Sequence, residues 1–244
     1  MPKIKICDFF SGFHSWINPL DNYEIDKIVF SIDNNPEYES STTIIEDFLN
    51  LTPKMVIDHL GGYPDVIIAS PPCTTFSIAS CGTHWHPPTN DGIRIPKSQN
   101  AVIGLKLLNH TLELIRLLQP KLFYIENPRG LMRKMNCLEG IKRHTIWHCK
   151  YGETGGILRA KPTDIWTNST TWQPKEVCKN HKFVNGVKVS NHCDHVVARR
   201  GAKTGTQGMK GNAERSLIPY ELCEEIMHDY LTEFYSTLPH QEGV

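Results

Sequence analysis

A cysteine that closely follows an apolar segment is the first candidate for chemistry in this chain. The segment is DVIIAS at 65–70, and Pro71 and Pro72 separate it from Cys73. Proline lacks a backbone donor and ends regular structure, so we expect a buried strand followed by a stiff loop. Open α/β sheets bind ligands at the carboxyl ends of strands, which favours a nucleophilic Cys73. An isolated cysteine is more commonly a small buried hydrophobe, so its neighbours decide between the two interpretations.

Small residues after the first predicted strand indicate a loop that lets a ligand approach the backbone. Ser11 and Gly12 are these residues, and they stand where a helix would start. Asp33 ends the second predicted strand, as an acceptor for ribose hydroxyl groups would. Asp47 precedes Phe48, whose ring is suited to contact with adenine. Each acid has a second interpretation as a helix cap.

Two cysteines and two histidines cluster in a stretch that is too polar to form its own core. Their spacing is Cys-x2-His, x11, Cys-x-His, and they are Cys178, His181, Cys193 and His195. Thiolate and imidazole groups are the usual ligands of structural zinc, which is one interpretation. The second pair is closer in sequence than is usual for zinc sites, so unliganded surface residues are the other interpretation.

A glycine-rich basic stretch follows this cluster. Arg199, Arg200 and Lys203 supply its positive charge, and Gln207 adds an amide. Such side chains on glycine-rich backbone can approach phosphates and base edges, which predicts contact with a nucleic acid. A solvated loop is the alternative interpretation.

The overall composition narrows the class of protein. The 244 residues include 26 Lys and Arg and 26 Asp and Glu, so a nucleic-acid surface must arise from local clusters. No apolar run approaches the ~20 residues of a membrane span. The first residues lack the apolar region of a signal peptide, and the eight cysteines lack the spacing of a disulfide framework. Both features predict a reducing cytoplasm.

The elements that must position these residues alternate between strands and helices. Apolar residues recur with helical spacing over 98–118, and Pro120 ends that helix. The short apolar runs that predict strands are 3–10, 27–33, 65–70, 121–127 and 145–149. This alternation predicts an α/β fold with a mostly parallel sheet.

Three short motifs resemble those of the DNA (cytosine-5)-methyltransferase family, in the same order and spacing. PPCTTFS at 71–77 is similar to the family's Pro-Cys-Gln-x-Phe-Ser catalytic loop, with Thr74 in place of glutamine. ENP at 126–128 is similar to its Glu-Asn-Val motif. DFFSG at 8–12 is similar to its opening Asp-x-Phe-x-Gly motif.

Two later stretches extend the resemblance over nearly the whole chain, most closely to small bacteriophage members. Residues 149–168 resemble the segment with the family's Arg-x-Arg pair, here Arg159 and Lys161. The family's closing Gly-Asn-x(n)-Pro motif corresponds to a stretch that includes Asn212 and Pro219. The resemblance implies a Rossmann-like, S-adenosylmethionine-dependent methyltransferase, encoded by a virus and acting in the cytoplasm of a bacterial host.

The resemblance also implies the roles of the site residues. Cys73 would add as a thiolate to carbon 6 of a cytosine flipped out of double-stranded DNA, and Glu126 would protonate ring nitrogen 3. Arg159 would steady ring oxygen 2, and Lys161 competes for that role. The implied donor-binding residues are Asp8, Phe9, Phe10, Ser11, Gly12, Asp33, Asp47, Phe48, Pro71 and Asn212.

A change to polar composition near residue 169 divides the chain. The resemblance implies a catalytic domain formed by 1–168 and 211–244, and a small target-recognition lobe at 169–210. If the cysteine and histidine cluster binds zinc, the metal would stabilise this lobe. It indicates neither a membrane nor an obligate protein partner. The implied DNA contacts are Thr75, Ser77, Arg199, Arg200, Lys203 and Gln207.

Two departures from the family's motifs keep other functions open. His14 stands where the family usually has a second glycine, and Thr74 replaces the glutamine. Methyl transfer to RNA or to a free cytosine nucleotide is one alternative, because the predicted recognition lobe is short. A catalytically silent DNA-binding relative is the other.

Overall fold

The computed structural model describes residues 3–178, 181–185, 187–190 and 215–237. For 181–184 and 187–190 it describes the backbone. None of the described helices is both long and apolar enough to cross a membrane.

A mostly parallel sheet organises the chain, which confirms the predicted fold class. Its strands are Ile4–Phe9 (β1), Lys27–Asp33 (β2), Ile44–Ile45 (β3), Val66–Ala69 (β4), Leu122–Pro128 (β5), Arg143–Trp147 (β6) and Pro162–Thr167 (β7). They lie in the order β3-β2-β1-β4-β5-β7-β6. Strands β1 to β5 are parallel, and β7 is antiparallel to both β5 and β6.

Helices begin and end where the sequence offers caps. The described α-helices include Pro53–Leu60 (α1), Cys81–His84 (α2), Gln99–Leu118 (α3) and Tyr220–Ser236 (α4). Ser98 Oγ accepts from Ala101 N at 3.2 Å to start α3, and Gln119 ends it with a φ of 44°. Pro219, which belongs to the closing motif of the resemblance, is the cap directly before α4.

Both faces of the sheet are buried, as a parallel sheet requires. Alternate residues of β1 divide between the two layers. Cys7 and Phe9 face the layer with α1 and α3, and Ile4 and Ile6 face the layer with α4. Because the faces are filled with apolar side chains, polar chemistry is left to the edge where the strands end.

Three elements differ from the sequence-based expectation. Strand β7 was not predicted as a strand, because its segment was singled out only for its resemblance to the family's Arg-x-Arg segment. Strand β3 was not predicted either, because two residues are too few to show a periodic pattern. The helix expected between the first two strands is a short 3-10 helix, Asn18–Asn22.

The start of the predicted recognition lobe packs on α4. Trp172 is buried, and its Nε1 donates to Glu225 Oε1 at 2.8 Å. Ser169 Oγ donates to Asp229 Oδ2 at 2.7 Å. Further along, the described backbone forms an antiparallel pair of strands, His181–Val184 (β8) and Val187–Ser190 (β9). The domain boundary at residue 169 stays a prediction.

Candidate active site

The residues predicted to do chemistry lie where β4 and β5 end. These strands pair in parallel with Ala69 beside Ile125, so the next residues, Ser70 and Glu126, stand side by side. The loop that carries Cys73 continues directly from this point. The parallel register therefore brings the cysteine loop and the acid to one edge of the sheet.

Hydrogen bonds hold the loop that carries Cys73. Asn127 Nδ2 donates to Pro71 O at 2.8 Å, which ties the loop to the end of β5. Phe76 N and Ser77 N both donate to Cys73 O at 3.0 Å. The Glu-Asn-Pro motif thus positions the cysteine loop in addition to carrying the acid.

Two glycines that the motifs did not single out let this loop pack closely. A Cβ on Gly130 would lie 2.3 Å from Phe76 O, and a Cβ on Gly104 would lie 2.8 Å from Thr75 Oγ1. The sequence signal for Gly104 was an isolated glycine in a helical pattern, which usually has a packing reason. Thr75 is only 5% exposed, so a DNA contact through its side chain requires the loop to move, whereas Ser77 is half-buried.

Glu126 is the buried acid of the site. It is 5% exposed, and its Oε1 has no hydrogen-bond partner among the described residues. Burial is the main cause that raises the pKa of its carboxyl, and the positive charge of Lys161 opposes this shift. A carboxyl with a raised pKa retains a proton that it can donate to a bound ring, as a general acid does.

Arg159 and Lys161 are both buried, and the charge of Lys161 acts on the acid and on the cysteine. Arg159 is 1% exposed, and Lys161 Nζ donates to Arg215 O at 2.9 Å. Burial lowers the pKa of the Lys161 ammonium, while the negative charges of Glu126 and Cys73 raise it. The sequence left open which cation would serve the predicted reaction, and in the structure the charge of Lys161 acts on both Cys73 and Glu126.

The surroundings of Cys73 favour its thiol form. Cys73 is half-buried, and burial is the main cause that raises its pKa. The carboxylate of Glu126 raises this pKa further, while the positive charges of Lys161 and Arg215 lower it. Formation of the nucleophilic thiolate therefore depends on these two cations.

The loop after β1 is a tight turn that approaches β2. Phe10, Gly12 and His14 have positive φ angles of 62°, 48° and 55°. Gly12 N donates to Asp33 Oδ2 at 3.0 Å, and Asn35 N donates to Asp33 Oδ1 at 2.9 Å. Asp33 thus accepts from two backbone amides without capping a helix, because Asn35 is the cap of the following 3-10 helix, Pro36–Tyr38. Its helix-cap interpretation is wrong, and its oxygens retain lone pairs for ribose hydroxyl groups.

Asp47 and Phe48 make local contacts. The Asp47 carboxylate accepts from Leu49 N at 3.0 Å and caps a short 3-10 helix. The buried ring of Phe48 lies 5.2 Å from the ring of Phe9 and 4.2 Å from that of Phe10, between centroids. The cap interpretation accounts for Asp47, and contact between Phe48 and adenine stays a prediction.

Asp8 and His14 form a buried pair beneath the loop. Neither carboxyl oxygen of Asp8, which is fully buried, makes a hydrogen bond to a described residue. His14 Nδ1 lies 3.5 Å from Asp8 Oδ2, but the two groups are not aligned as a hydrogen bond. Burial raises the pKa of Asp8 and lowers that of His14, so both favour their neutral forms. The histidine that replaces a family glycine therefore faces a buried carboxyl.

A cavity of about 550 Å³ opens beside this pair. Its lining includes Gly12, His14, Tyr38 and Ser41. This volume is typical of sites for small molecules. Gly12 has no side chain and so leaves room in the cavity, and His14, Tyr38 and Ser41 give it polar groups. The cavity has the room that S-adenosylmethionine would need, and Gly12 is the predicted donor-binding residue among those that line it.

Several predicted residues lie outside the described part of the chain: Arg199, Arg200, Lys203, Gln207, Asn212, Cys193 and His195. Cys178 is buried against Trp147 and Cys149, and only the backbone of His181 is described. Within the described ranges, no three His, Cys, Asp or Glu side chains are grouped so that they could hold a metal ion. The zinc site stays a prediction.

Known proteins resemble more than half of this chain. The family model of the C-5 cytosine-specific DNA methylases matches residues 4–165. A Frog virus 3 (isolate Goorha) protein described as a probable DNA (cytosine-5)-methyltransferase is 30% identical over 155 residues, 62% of this chain and 67% of that protein. The solved structure of the Entamoeba histolytica methyltransferase EhMeth aligns with a TM-score of 0.46 and 14% identity, over 72% of this chain and 57% of that chain.

We expect Lys161→Met to slow alkylation of Cys73 by iodoacetamide at fixed pH. Removing a nearby positive charge raises the thiol pKa further, so less thiolate is present, and a roughly tenfold lower rate is expected. The measurement is mass spectrometry of the Cys73 peptide over a pH series. The rate should rise with pH in both proteins, with the profile of the variant displaced to higher pH.

The matched control is Lys142→Met, which also removes an ammonium that donates to a backbone carbonyl, here Ser169 O at 3.2 Å. Its Cys73 rate should equal that of the unmodified chain. The buried thiols of Cys7 and Cys223 report on folding, because they react only if the variant opens. An unchanged Cys73 rate in a folded Lys161→Met protein contradicts the electrostatic coupling.

Proposed function

Because the chain belongs to the C-5 cytosine-specific DNA methylase family, we propose that it transfers a methyl group from S-adenosylmethionine to carbon 5 of cytosine in DNA. The observation that carries this proposal is the meeting of a half-buried Cys73 and a buried Glu126 where β4 and β5 end. A nucleophile and an acid at one sheet edge are what addition to a pyrimidine ring requires.

The chemistry begins with the low electron density at carbon 5 of cytosine. When the Cys73 thiolate bonds to carbon 6, the ring double bond shifts to carbons 4 and 5, and nitrogen 3 takes the proton of Glu126. The partner molecule, S-adenosylmethionine, supplies a methyl group on positively charged sulfur, which departs as a neutral thioether. Loss of the proton from carbon 5 then breaks the carbon–sulfur bond, returns the Cys73 thiolate and lets Glu126 recover its proton.

The buried cations have a separate task in this scheme. Addition of the thiolate leaves electron density on the ring, and Lys161 or Arg159 at oxygen 2 stabilises it in a site that excludes water. Lys161 also lowers the pKa of Cys73. One buried ammonium thus favours both the nucleophile and the charge that develops on the ring.

A cytosine that is stacked in a duplex cannot reach Cys73 on the loop after β4. We therefore infer that the target base is flipped into the pocket between Cys73 and Glu126, at a cost of a few kcal/mol of lost pairing and stacking. For the donor, the loop at Gly12 and the carboxylate of Asp33 supply close backbone approach and acceptors for ribose hydroxyl groups.

We predict that Glu126→Gln lowers methyl transfer by at least ~10²-fold, because an amide cannot donate the acid's proton to nitrogen 3. Donor affinity should stay unchanged, since the donor loop follows β1 rather than β5. The measurements are incorporation of labelled methyl into mixed-sequence duplex DNA and calorimetric binding of S-adenosylhomocysteine. Glu139→Gln, an exposed change, is the control and should be fully active.

Undiminished methyl transfer by Glu126→Gln would remove this residue from the site. Methylation of RNA or of free cytosine nucleotides in preference to duplex DNA would contradict the proposed substrate. Donor binding without methylation of any of these would support a catalytically silent relative.

The basic stretch at 199–207 is proposed to contact DNA. Replacing Arg199, Arg200 or Lys203 with alanine should lower the slope of log affinity against log salt by about one for each lost phosphate contact. Gln207→Ala should cost about 1 to 3 kcal/mol on the cognate sequence only. The measurement is a salt series of binding isotherms on cognate and scrambled duplexes.

Lys121→Ala is the control for these variants, because Lys121 directly precedes β5, at the opposite edge of the sheet from Glu126. Its salt slope should match that of the unmodified chain. Unchanged slopes for all three basic variants would show that the phosphate contacts lie elsewhere.

A further inference from the structure

Three side chains from different segments meet where β4 and β5 end. Ala69 pairs with Ile125, which sets Ser70 beside Glu126 on neighbouring strands about 4.8 Å apart. Laterally paired residues point to the same face of a sheet. Ile68 and Tyr124, two positions earlier, face the layer that contains α4, so Ser70 and Glu126 face it too. Trp16 belongs to the same layer, and it reaches this row from the loop after β1.

The directions of the hydrogen bonds follow from the chemistry of the groups. Trp16 Nε1 lies 2.9 Å from Ser70 Oγ. An indole nitrogen can only donate, so Ser70 must accept this bond. A serine hydroxyl has one proton, and that proton remains available to a second acceptor. The neighbouring acceptor in the row is the Glu126 carboxyl, and an interaction with the Ser70 hydroxyl lowers its pKa against the larger effect of burial.

The two oxygens of Glu126 are thereby distinguished. Ser70 stands beside this carboxyl, and Oε1 makes no hydrogen bond to a described residue. An oxygen that accepts from Ser70 is disfavoured as the site of the acid's own proton. The proton of a neutral Glu126 then belongs on the oxygen turned to the base, and catalytic hydrogen bonds of this kind tighten when substrate binds.

We propose that Trp16 and Ser70 are positioning residues, which orient the Glu126 carboxyl so that its proton faces the cytosine ring. This inference rests on the proposed function, because it assigns Glu126 the role of the acid. Neither residue belongs to the motifs by which the sequence resembles its family. The two residues depend on each other, because the buried indole N–H of Trp16 would have no acceptor if an apolar residue replaced Ser70.

The same chain of groups joins the acid to the donor loop. Ile17 N and Asn18 N donate to His14 O at 3.1 and 3.0 Å, so Trp16 lies within the turn that begins at His14. Since His14 lines the cavity beside β1, the position of the indole depends on the loop that the donor would contact. One backbone turn therefore carries both His14, which lines the cavity, and Trp16, which contacts Ser70 beside the acid.

The test is the pKa of Glu126 itself, measured by carbon-13 NMR of protein labelled at glutamate carboxyl carbons. Glu126→Gln identifies the signal by its loss. Ser70→Ala should raise the pKa of Glu126 by about one unit, because a hydrogen bond to a charged group is worth about 1.5–3 kcal/mol and one unit is about 1.4 kcal/mol. Trp16→Phe keeps an aromatic ring but removes the N–H donor, and it should raise the pKa of Glu126 less.

The double variant separates a chain from two independent effects. If Trp16 acts through Ser70, then Ser70→Ala with Trp16→Phe should shift the pKa no further than Ser70→Ala alone. The control is Trp172→Phe, which removes another buried indole donor, the one to Glu225. Its Glu126 pKa should equal that of the unmodified chain. In the same variants, the alkaline limb of the profile of methylation rate against pH should move to higher pH.

An unchanged pKa in Ser70→Ala overturns the proposal, and so do additive shifts in the double variant. A third outcome is that the pKa of Glu126 shifts as expected in the Ser70 and Trp16 variants, while Glu126→Gln methylates DNA at the full rate. It keeps the hydrogen-bond chain and removes the acid role from the proposed function.

Discussion

The parallel pairing of β4 with β5 is the constraint on which the site depends. Its register places Ser70 beside Glu126 and starts the Cys73 loop from the same edge. A slip of one residue would turn Glu126 toward the opposite layer, because successive side chains alternate between faces. The apolar layers on both sides fix that register, and hydrogen bonding of Asn127 to Pro71 carries it into the loop.

Burial then sets the chemistry of the groups that reach this edge. Asp8, Glu126 and Cys73 all have pKa values raised mainly by loss of water, which favours their protonated forms. The buried ammonium of Lys161 opposes this effect at both Glu126 and Cys73. A thiol and an acid that hold their protons in the resting protein are suited to a reaction in which protons move only once the base is bound.

Local patterns made much of this architecture predictable. The apolar runs at 65–70 and 121–127 foretold β4 and β5, and helical spacing with Pro120 foretold α3. Pro-Cys and Glu-Asn-Pro, each at the end of a strand, singled out Cys73 and Glu126, whose roles stay predictions. Such signals succeed because they depend on neighbours in sequence.

Contacts between distant segments were not predictable in this way. The need for glycine at 104 and 130 arises from the approach of the Cys73 loop. An isolated glycine in a helical pattern indicates a packing reason at 104, but no local pattern identifies the loop that packs there. The bond from Trp16 to Ser70 joins residues 54 positions apart. For Asp33 and Asp47 the sequence allowed two interpretations, a cap or a ligand contact, because a carboxylate after a strand suits both. Only the backbone groups that each carboxylate accepts from could decide between them.

The proposed methyl transfer requires a covalent bond between Cys73 and carbon 6 of cytosine. It is tested most directly with mixed-sequence duplexes in which 5-fluorocytosine replaces cytosine, because fluorine blocks the proton loss that releases the enzyme. With S-adenosylmethionine present, mass spectrometry should find the methylated base attached to the peptide that carries Cys73, and Cys73→Ser should give no adduct. Methylation of ordinary duplexes without an adduct on the fluorinated ones, or an adduct on another residue, would contradict the account.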